Sequence, residues 1–233
     1  MVKVVYMAAS TQTEIDQSAP RRLNIGCGDR PAAGWINYDN SVSVLLGRIP
    51  FLPAALGKCG LLSPAQLRFI QVVRASGIRY ADVVKRIPHP AASIDLIYTC
   101  HMLEHLTRDE AVGFLRECRR VLAPGGAIRI VVPDLRLLVE RYQASGDGDR
   151  FVESLYMVPT EPERLISRLK CLLVGGRLHQ WMYDSNSLVS LLVSAGFGNP
   201  TVLPPGRTTI GGMVNIDLAE RSEESLYIEA RRS

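Results

Sequence analysis

The sequence lacks the features that mark a secreted or membrane-spanning chain. Its five cysteines are an odd number and none are spaced C-x-x-C, so neither a disulfide framework nor a paired-cysteine motif is predicted. No apolar run is long enough to cross a bilayer, and the N-terminal MVKVVYMAAS is too short to resemble a signal peptide. We therefore expect a cytoplasmic protein without a membrane span.

Charge of one sign is not concentrated anywhere in the chain. The 27 Lys and Arg residues against 23 Asp and Glu leave a net charge of only +4, and the densest basic clusters are pairs such as Arg21-Arg22. A nucleic-acid-binding surface needs a longer basic patch, so no nucleic-acid partner is predicted. Hydrophobic residues make up 47% of the 233-residue chain, which is enough for the core of one domain over residues 1–233.

What the sequence does contain is an alternation of short apolar runs with helical patterns. Capping boxes at Ser63 and Thr107 predict two helices, the first of them ending at Gly77. The alternation predicts an α/β fold with a mostly parallel sheet covered by helices on both faces. Seven runs are predicted strands, at residues 22–28, 35–39, 78–84, 93–99, 127–132, 200–204 and 225–231.

Three connections between these strands depart from a regular pattern. Only residues 29–34 separate the first two strands, too few for a crossover helix, so the first crossover is predicted to be shortened. Residues 42–76 and 135–178 are instead long and mostly amphipathic, and we interpret them as helical insertions. They are candidates for a lid over a substrate and, because of their apolar content, for a homodimer interface. Amphipathic helices packed on the core are the simpler interpretation.

Glycines and acids collect where the predicted strands end, which is where parallel sheets bind ligands. Gly26 and Gly28 allow a ligand close to the backbone, but the third glycine of a dinucleotide fingerprint is missing. Asp39 could accept hydrogen bonds from both ribose hydroxyls, or simply cap a helix. Asp82 could accept from an exocyclic amine, or face solvent. Together these strand ends favour a nucleoside site.

The stretch YTCHMLEHL, residues 98–106, has the H-x-x-E-H spacing of certain zinc hydrolases. Such a zinc site needs a helix, because helical spacing brings both histidines onto one face. Here the predicted strand runs straight into the motif, and the next helix begins only after Thr107. We therefore predict a loop, and a zinc-dependent hydrolase using His101, Glu104 and His105 stays as the alternative.

Four segments, in this order, resemble the class I S-adenosylmethionine-dependent methyltransferases. They are LNIGCGDRPAAGWINYD (23–39), YADVVKRIPHPAASIDLIYTCHMLEHL (80–106), RRVLAPGGAIRIVVPDL (119–135) and LVSLLVSAGF (188–197). The short first crossover is similar to that of a bacterial subgroup associated with sugar, polysaccharide and natural-product tailoring. The resemblance implies a Rossmann-like fold and an enzyme that methylates a hydroxyl of a small molecule, with a sugar or saccharide preferred.

The resemblance also implies roles for individual residues. Asp39 would bind the ribose and Asp82 and Val83 the adenine of S-adenosylmethionine. The cofactor's amino-acid portion would lie along the first glycine segment and the end of the fourth strand, at Asn24, Gly26, Cys27, Gly28, Cys100 and His101.

On the acceptor side, His105 is the leading general base, with Glu104, Asp134 and His179 as further catalytic candidates. Histidine titrates near neutrality and suits this role. Asp134 could orient the base, bind acceptor hydroxyls or hold Mg²⁺, a candidate second cofactor. Each of these residues also has a structural interpretation, as a helix cap, a turn acid or a packed histidine. A non-catalytic binding protein that keeps the fold is the remaining alternative.

Overall fold

The computed structural model describes residues 21–158, 178–211, 216, 217 and 221–233. Within them one seven-stranded sheet has the order β3-β2-β1-β4-β5-β7-β6. The strands β1 to β5 are parallel, and β7 runs antiparallel between β5 and β6. This confirms the predicted mostly parallel, Rossmann-like α/β fold. The strands are β1 (Arg22–Ile25), β2 (Ile36–Asp39), β3 (Arg79–Tyr80), β4 (Ile94–Cys100), β5 (Leu122–Pro133), β6 (Phe197–Leu203) and β7 (Ser225–Arg232).

The helices begin and end where local sequence signals place them. Ser63 and Thr107 form capping boxes with Gln66 and Glu110, and Gly77 ends its helix in the left-handed conformation, as predicted. No helix in the described ranges is long and apolar enough to span a membrane. The helices are α1 (Val42–Gly47), α2 (Leu52–Lys58), α3 (Pro64–Ser76), α4 (Arg108–Val121), α5 (Leu135–Ser145), α6 (Gly148–Ser154) and α7 (Ser185–Ser194).

The core lies on both faces of the sheet. On one face Ile97 and Ile130 are fully buried in a cluster that includes Phe114 of α4 and Leu188 of α7. The opposite face carries a smaller cluster that contains Tyr98, Tyr227 and Ile210 and is joined by Ile216. Both faces of the central strands are therefore covered, which is why these strands are continuous apolar runs in the sequence.

The first crossover contains no helix, as its length predicts. Two buried asparagines hold it instead. The Asn24 amide donates to Asn37 Oδ1 (2.9 Å), and Asn37 bonds both the N–H and the carbonyl of Ala32 (2.8 and 3.1 Å). These side-chain bonds satisfy the backbone of the link in place of a helix.

Two strand boundaries differ from the sequence prediction by more than three residues. β3 is only two residues long instead of seven, because the carbonyl of Asp82 accepts the N–H groups of Lys85 and Arg86 and turns the chain. β5 begins at Leu122 rather than residue 127, where Leu122 pairs with Ile94 ahead of a register shift. The strand therefore runs through Pro124, Gly125 and Gly126.

The two predicted insertions differ in how much of them is described. Residues 42–76 contain α1, α2 and α3, and Val44 packs with Val73 in a separate small cluster. Arg74 Nε also donates to the carbonyl of Gly47 (2.9 Å). The second insertion contains α5 and α6, and its predicted helices within 159–177 lie outside the described residues.

Candidate active site

The turn after β1 meets the end of β2 through the carboxylate of Asp39. Its Oδ2 accepts the Gly28 N–H (3.0 Å) and its Oδ1 accepts the Ser41 N–H (2.8 Å). Burial raises the pKa of Asp39, and these two backbone donors oppose that shift. An ionised carboxylate offers about four acceptor positions, so Asp39 can still accept two hydroxyl groups.

Gly26 and Gly28 both lie in the left-handed region, with φ of +71° and +51°. At Gly28 an added Cβ would have open space around it, whereas at Gly26 it would lie 2.6 Å from Met102 Cγ. The turn after β1 therefore packs directly on the loop after β4 at Gly26, and leaves room for a ligand at Gly28.

The remaining residues predicted for the cofactor lie along the same edge in varied surroundings. The Asp82 carboxylate binds Lys85 Nζ at 2.8 Å and is 36% exposed; Val83 beside it is buried. Asn24 is hydrogen-bonded within the first crossover. Burial raises the pKa of Cys27 to about 12 and that of Cys100 to about 11. Both thiols are therefore protonated at neutral pH and are not activated nucleophiles.

The H-x-x-E-H stretch is a loop with one 3-10 turn, Leu103–His105, and not an α-helix. His101 has a φ of +51°, and its N–H donates to the carbonyl of Val131 (2.9 Å). Its ring joins Ser225 Oγ (2.8 Å) on one side and lies 3.3 Å from Glu104 Oε1 on the other. The two histidines of the stretch consequently do not share one helical face.

Glu104, His105 and His179 form a cluster in which the potential ligand atoms all lie within 4.8 Å of one another. The rings of His105 and His179 are 5.0 Å apart, and His179 Nε2 is 4.0 Å from Glu104 Oε1. The backbone N–H groups of Gln180 and Trp181 donate to the Glu104 carbonyl (2.7 and 3.2 Å). The chain thus returns after the second insertion and brings His179 to the β4 loop.

His179 is held from its other side as well. Its Nδ1 is 2.8 Å from the carbonyl of Leu155, and its own N–H donates to the carbonyl of Tyr156 (3.0 Å). Burial lowers the pKa of His179, although the nearby charge of Glu104 acts in the opposite direction. The imidazole is therefore favoured in its neutral form.

Asp134 follows β5 and is the N-cap of α5, where its Oδ1 accepts the Arg136 N–H (2.9 Å). Tyr183 forms a parallel bridge with Asp134, and its carbonyl accepts the Leu135 N–H (2.9 Å). The segment 179–183 therefore connects the cluster to the end of β5. The described contact of the Asp134 carboxylate is with its own helix.

Sequence reasoning missed three residues around the cluster. Met102 packs on Gly26, Ser225 holds His101 across 124 positions, and the Arg108 guanidinium lies 5.6 and 5.7 Å from the ring centres of Trp181 and Tyr183. No local pattern signals these contacts, because each joins residues from different elements of the fold.

Residues 61–130 match the family model described as a methyltransferase domain. The matched range contains β3, β4 and α4, together with Asp82 and the loop that carries Glu104 and His105. This match supports a methyltransferase enzyme. No curated protein matches the sequence significantly.

Solved structures of methyltransferases resemble this chain at low sequence identity. An S-adenosylmethionine-dependent methyltransferase from Methanosarcina mazei is 15% identical, with 91% of this chain and 92% of that chain covered and a TM-score of 0.50. Another from Mesorhizobium loti is 19% identical, with 91% and 90% covered and a TM-score of 0.46. The pyocyanin biosynthetic protein PhzM is 13% identical, with 94% of this chain and 52% of that chain covered and a TM-score of 0.44. The likeness to the archaeal structure concerns the fold alone.

Proposed function

We propose that the protein is an S-adenosylmethionine-dependent O-methyltransferase that acts on a hydroxyl of a small molecule, with a sugar or saccharide as the preferred acceptor. The observation that carries the proposal is the arrangement of one sheet edge. Asp39 and the open space at Gly28 lie at its β1–β2 side, and the buried Glu104 cluster follows β4. This arrangement supports a nucleoside-type site and a proton-accepting site at the same edge.

The residues of this edge fit the cofactor. Asp39 has acceptor positions left for the two ribose hydroxyls. Gly28 leaves space for the amino-acid portion, next to Cys27 and close to Cys100 and His101 in the assignment that we propose. Asp82 is exposed enough to accept an exocyclic amine if Lys85 moves aside. The cofactor supplies an already activated methyl group, so the chain mainly has to align and deprotonate the acceptor.

The cluster supports the deprotonation step. The Nδ1 of His105 is buried and bonds no other group that the structure describes, so its ring can take up the proton of an acceptor hydroxyl as the methyl group is transferred. Glu104 beside it would stabilise the imidazolium that forms. His179 is the second candidate base, and Asp134 is proposed to orient the base, bind acceptor hydroxyls or bind Mg²⁺.

The surroundings of the cluster support a saccharide acceptor. Trp181 is 43% exposed, and an aromatic face suits the apolar face of a sugar ring. Tyr183, which the sequence also suggested for this role, is fully buried and cannot stack on an acceptor. We assign the acceptor lid, and a candidate homodimer surface, to the insertions 42–76 and 135–178.

Calorimetry with S-adenosylmethionine tests the cofactor half of the proposal. Asp39→Ala is expected to weaken binding by about 10–100-fold, because it removes hydrogen bonds to a charged group. Asp95→Ala is the matched control, since Asp95 accepts the Arg21 N–H at the opposite end of the sheet. No binding by the unmodified chain at cofactor concentrations on the order of millimolar would refute the proposal.

Transfer of a labelled methyl group to a panel of saccharides tests the acceptor half. His105→Gln is expected to lower kcat by about 10²-fold or more, as removal of a general base does, and to leave cofactor binding unchanged. Transfer only to amines or carbon centres would show that the hydroxyl assignment is wrong while the cofactor assignment stands.

A further inference from the structure

The side chain of Glu104 is fully buried, and its carboxylate is incompletely satisfied: His101 Nδ1 lies 3.3 Å from Oε1 but does not form a well-oriented hydrogen bond with it. Its exposed fraction is 0%, and neither carboxylate oxygen accepts a hydrogen bond from any residue in the described ranges. A buried carboxylate is strongly disfavoured unless it is paired with a cation or binds a metal ion. The atoms that face Glu104 therefore indicate whether this carboxylate is paired with a cation or binds a metal ion.

One facing atom is a nitrogen lone pair of His179. A carbonyl oxygen can only accept, so the contact with Leu155 places the proton of the neutral ring on Nδ1. Nε2 is then an acceptor, and it lies 4.0 Å from Glu104 Oε1. Two acceptor atoms at this distance, with no proton between them, repel each other, and a cation between them removes that repulsion.

His105 adds a third donor atom to the same space. Its Nδ1 is buried without a partner among the described residues, and the ligand atoms of all three side chains lie within 4.8 Å of one another. Two ligands that each bind one ion at about 2.0–2.2 Å are at most about 4.4 Å apart. Small side-chain rotations would therefore bring the three atoms onto one ion.

The groups behind these ligands match the outer partners of metal sites. Metal-binding histidines donate their second nitrogen to a carbonyl or carboxylate, which fixes the ring; the Leu155 carbonyl does this for His179. His101 lies 3.3 Å from Glu104 Oε1 and is itself held by Ser225 Oγ. The carboxylate and one ring are thus oriented from outside the cluster.

We propose that Glu104, His105 and His179 bind a divalent transition-metal ion of the Zn²⁺ class. Two imidazoles and one carboxylate suit such ions, whereas Mg²⁺ prefers an all-oxygen shell. Three protein ligands leave a fourth position open. The site differs from a helical H-x-x-E-H site because His179, from the segment after the second insertion, takes the place of His101.

The metal site goes beyond the proposed function. A lone pair of His105 holds either a proton or an ion, and an ion would lower the pKa of a hydroxyl bound to it. With or without a metal ion, the cluster would therefore promote deprotonation of the acceptor hydroxyl. Metal binding is measurable without any acceptor, so the two proposals can hold or fail separately.

The test titrates the chelator-stripped full chain with Co²⁺, read by its visible absorption, and then competes Co²⁺ with Zn²⁺. One equivalent is expected to bind. Glu104→Gln, His105→Gln and His179→Gln should each weaken binding by about 100-fold or more, and His101→Gln by about 10–100-fold as an outer partner. His89→Gln is the control and should bind normally, because His89 pairs with Tyr38 outside the cluster.

Circular dichroism and thermal unfolding of each variant separate a lost site from a lost fold. If Glu104→Gln does not fold, His179→Gln carries the test. The proposal is overturned if the stripped chain binds no Co²⁺ stoichiometrically, or if the three ligand variants bind it as well as His89→Gln does. Calorimetry with S-adenosylmethionine on the same samples judges the proposed function independently.

Discussion

At Gly26 one residue sets the distance between the cofactor side and the acceptor side of the candidate site. Its φ of +71° is strained for any residue with a Cβ. An added Cβ would also lie 2.8 Å from Met102 Cβ and 2.6 Å from Met102 Cγ. Met102 leads into the turn that carries Glu104 and His105, so this contact positions the cluster against the β1 turn.

Gly26→Ala is therefore expected to destabilise the protein by more than backbone strain alone. We expect the left-handed conformation of an alanine to cost about 1–2 kcal/mol. The forced repacking around Met102 should cost a further ~1–3 kcal/mol. Urea unfolding measures the sum. Gly77→Ala, with a φ of +63° and open space, should show the strain without the clash.

The double variant Gly26→Ala with Met102→Ala distinguishes the two causes. Relief of the clash should make it less destabilised than the sum of the two single variants. Simple additivity would contradict the close contact.

At the scale of elements, α4 is tied to the segment before β4 through Glu117. Its Oε2 accepts the Ile87 N–H (3.0 Å), and both oxygens bind the guanidinium of Arg120. Arg120 in turn donates to the carbonyls of Ile87 and His89. The hydrogen bond from Arg120 lowers the pKa of Glu117.

This lowered pKa predicts a pH-dependent difference between the unmodified chain and Glu117→Gln. Because the folded pKa lies below the unfolded one, the ionised carboxylate stabilises the fold above the unfolded pKa of glutamate. That contribution is lost as the pH falls through the folded pKa. The side chains of Glu117 and Arg120 are 20% and 30% exposed, so water still screens the pair, and the gap in unfolding free energy near neutral pH should be modest, at most about 1 kcal/mol.

Urea unfolding at neutral and at acid pH measures this gap, which should narrow in acid. Glu140→Gln is the matched control, since it removes only the exposed pair with Arg136 on α5. A gap for Glu117→Gln that grows as the pH falls would contradict the assigned direction.

At the scale of the whole molecule, a buried charged network joins β5, β7 and the segment that follows β6. Arg129 on β5 is 1% exposed and binds Glu229 of β7 (2.7 Å) and Asp217 (2.9 Å from Nε). Glu229 also accepts hydrogen bonds from Thr208 and Thr209. The network holds this segment against the sheet face opposite α4 and α7.

Arg129→Met is expected to lower the free energy of unfolding by about 3–5 kcal/mol, because it leaves Glu229 buried without its cation. Arg136→Met makes the same side-chain change in an exposed pair and should cost less than about 1 kcal/mol. Denaturant titrations of both variants give the comparison. Equal effects would mean that the buried network does not stabilise the fold.

Features set by neighbouring residues were predictable from the sequence. The caps at Ser63, Gly77 and Thr107 were confirmed, because a cap depends on side chains within one helical turn. The shortened first crossover was confirmed because six residues leave no room for a helix. The predicted extent of β3 was wrong, because the turn that follows it is formed by backbone hydrogen bonds and contains no glycine or proline that would mark it in the sequence.

The candidate site was predictable only in part. Glu104 and His105 were placed in a loop because a buried strand leads into them, and the 3-10 turn there confirms the loop. The contacts around them came from distant parts of the chain: His179, which faces Glu104, from beyond the second insertion, and Ser225, which holds His101, from the start of β7. Sequence spacing carries no information about such pairs, so the histidine nitrogens that surround the Glu104 carboxylate could not be derived from it.

The sequence by itself determined the α/β alternation, the helix caps, and the collection of glycines and acids at strand ends, since each follows from local periodicity and local hydrogen bonding. Only the tertiary structure decided that the carboxylate of Glu104 is fully buried and faces His179 rather than lying on a helix with two neighbouring histidines. Burial and facing atoms depend on how the sheet orders its strands and returns the chain, which no short stretch of residues specifies.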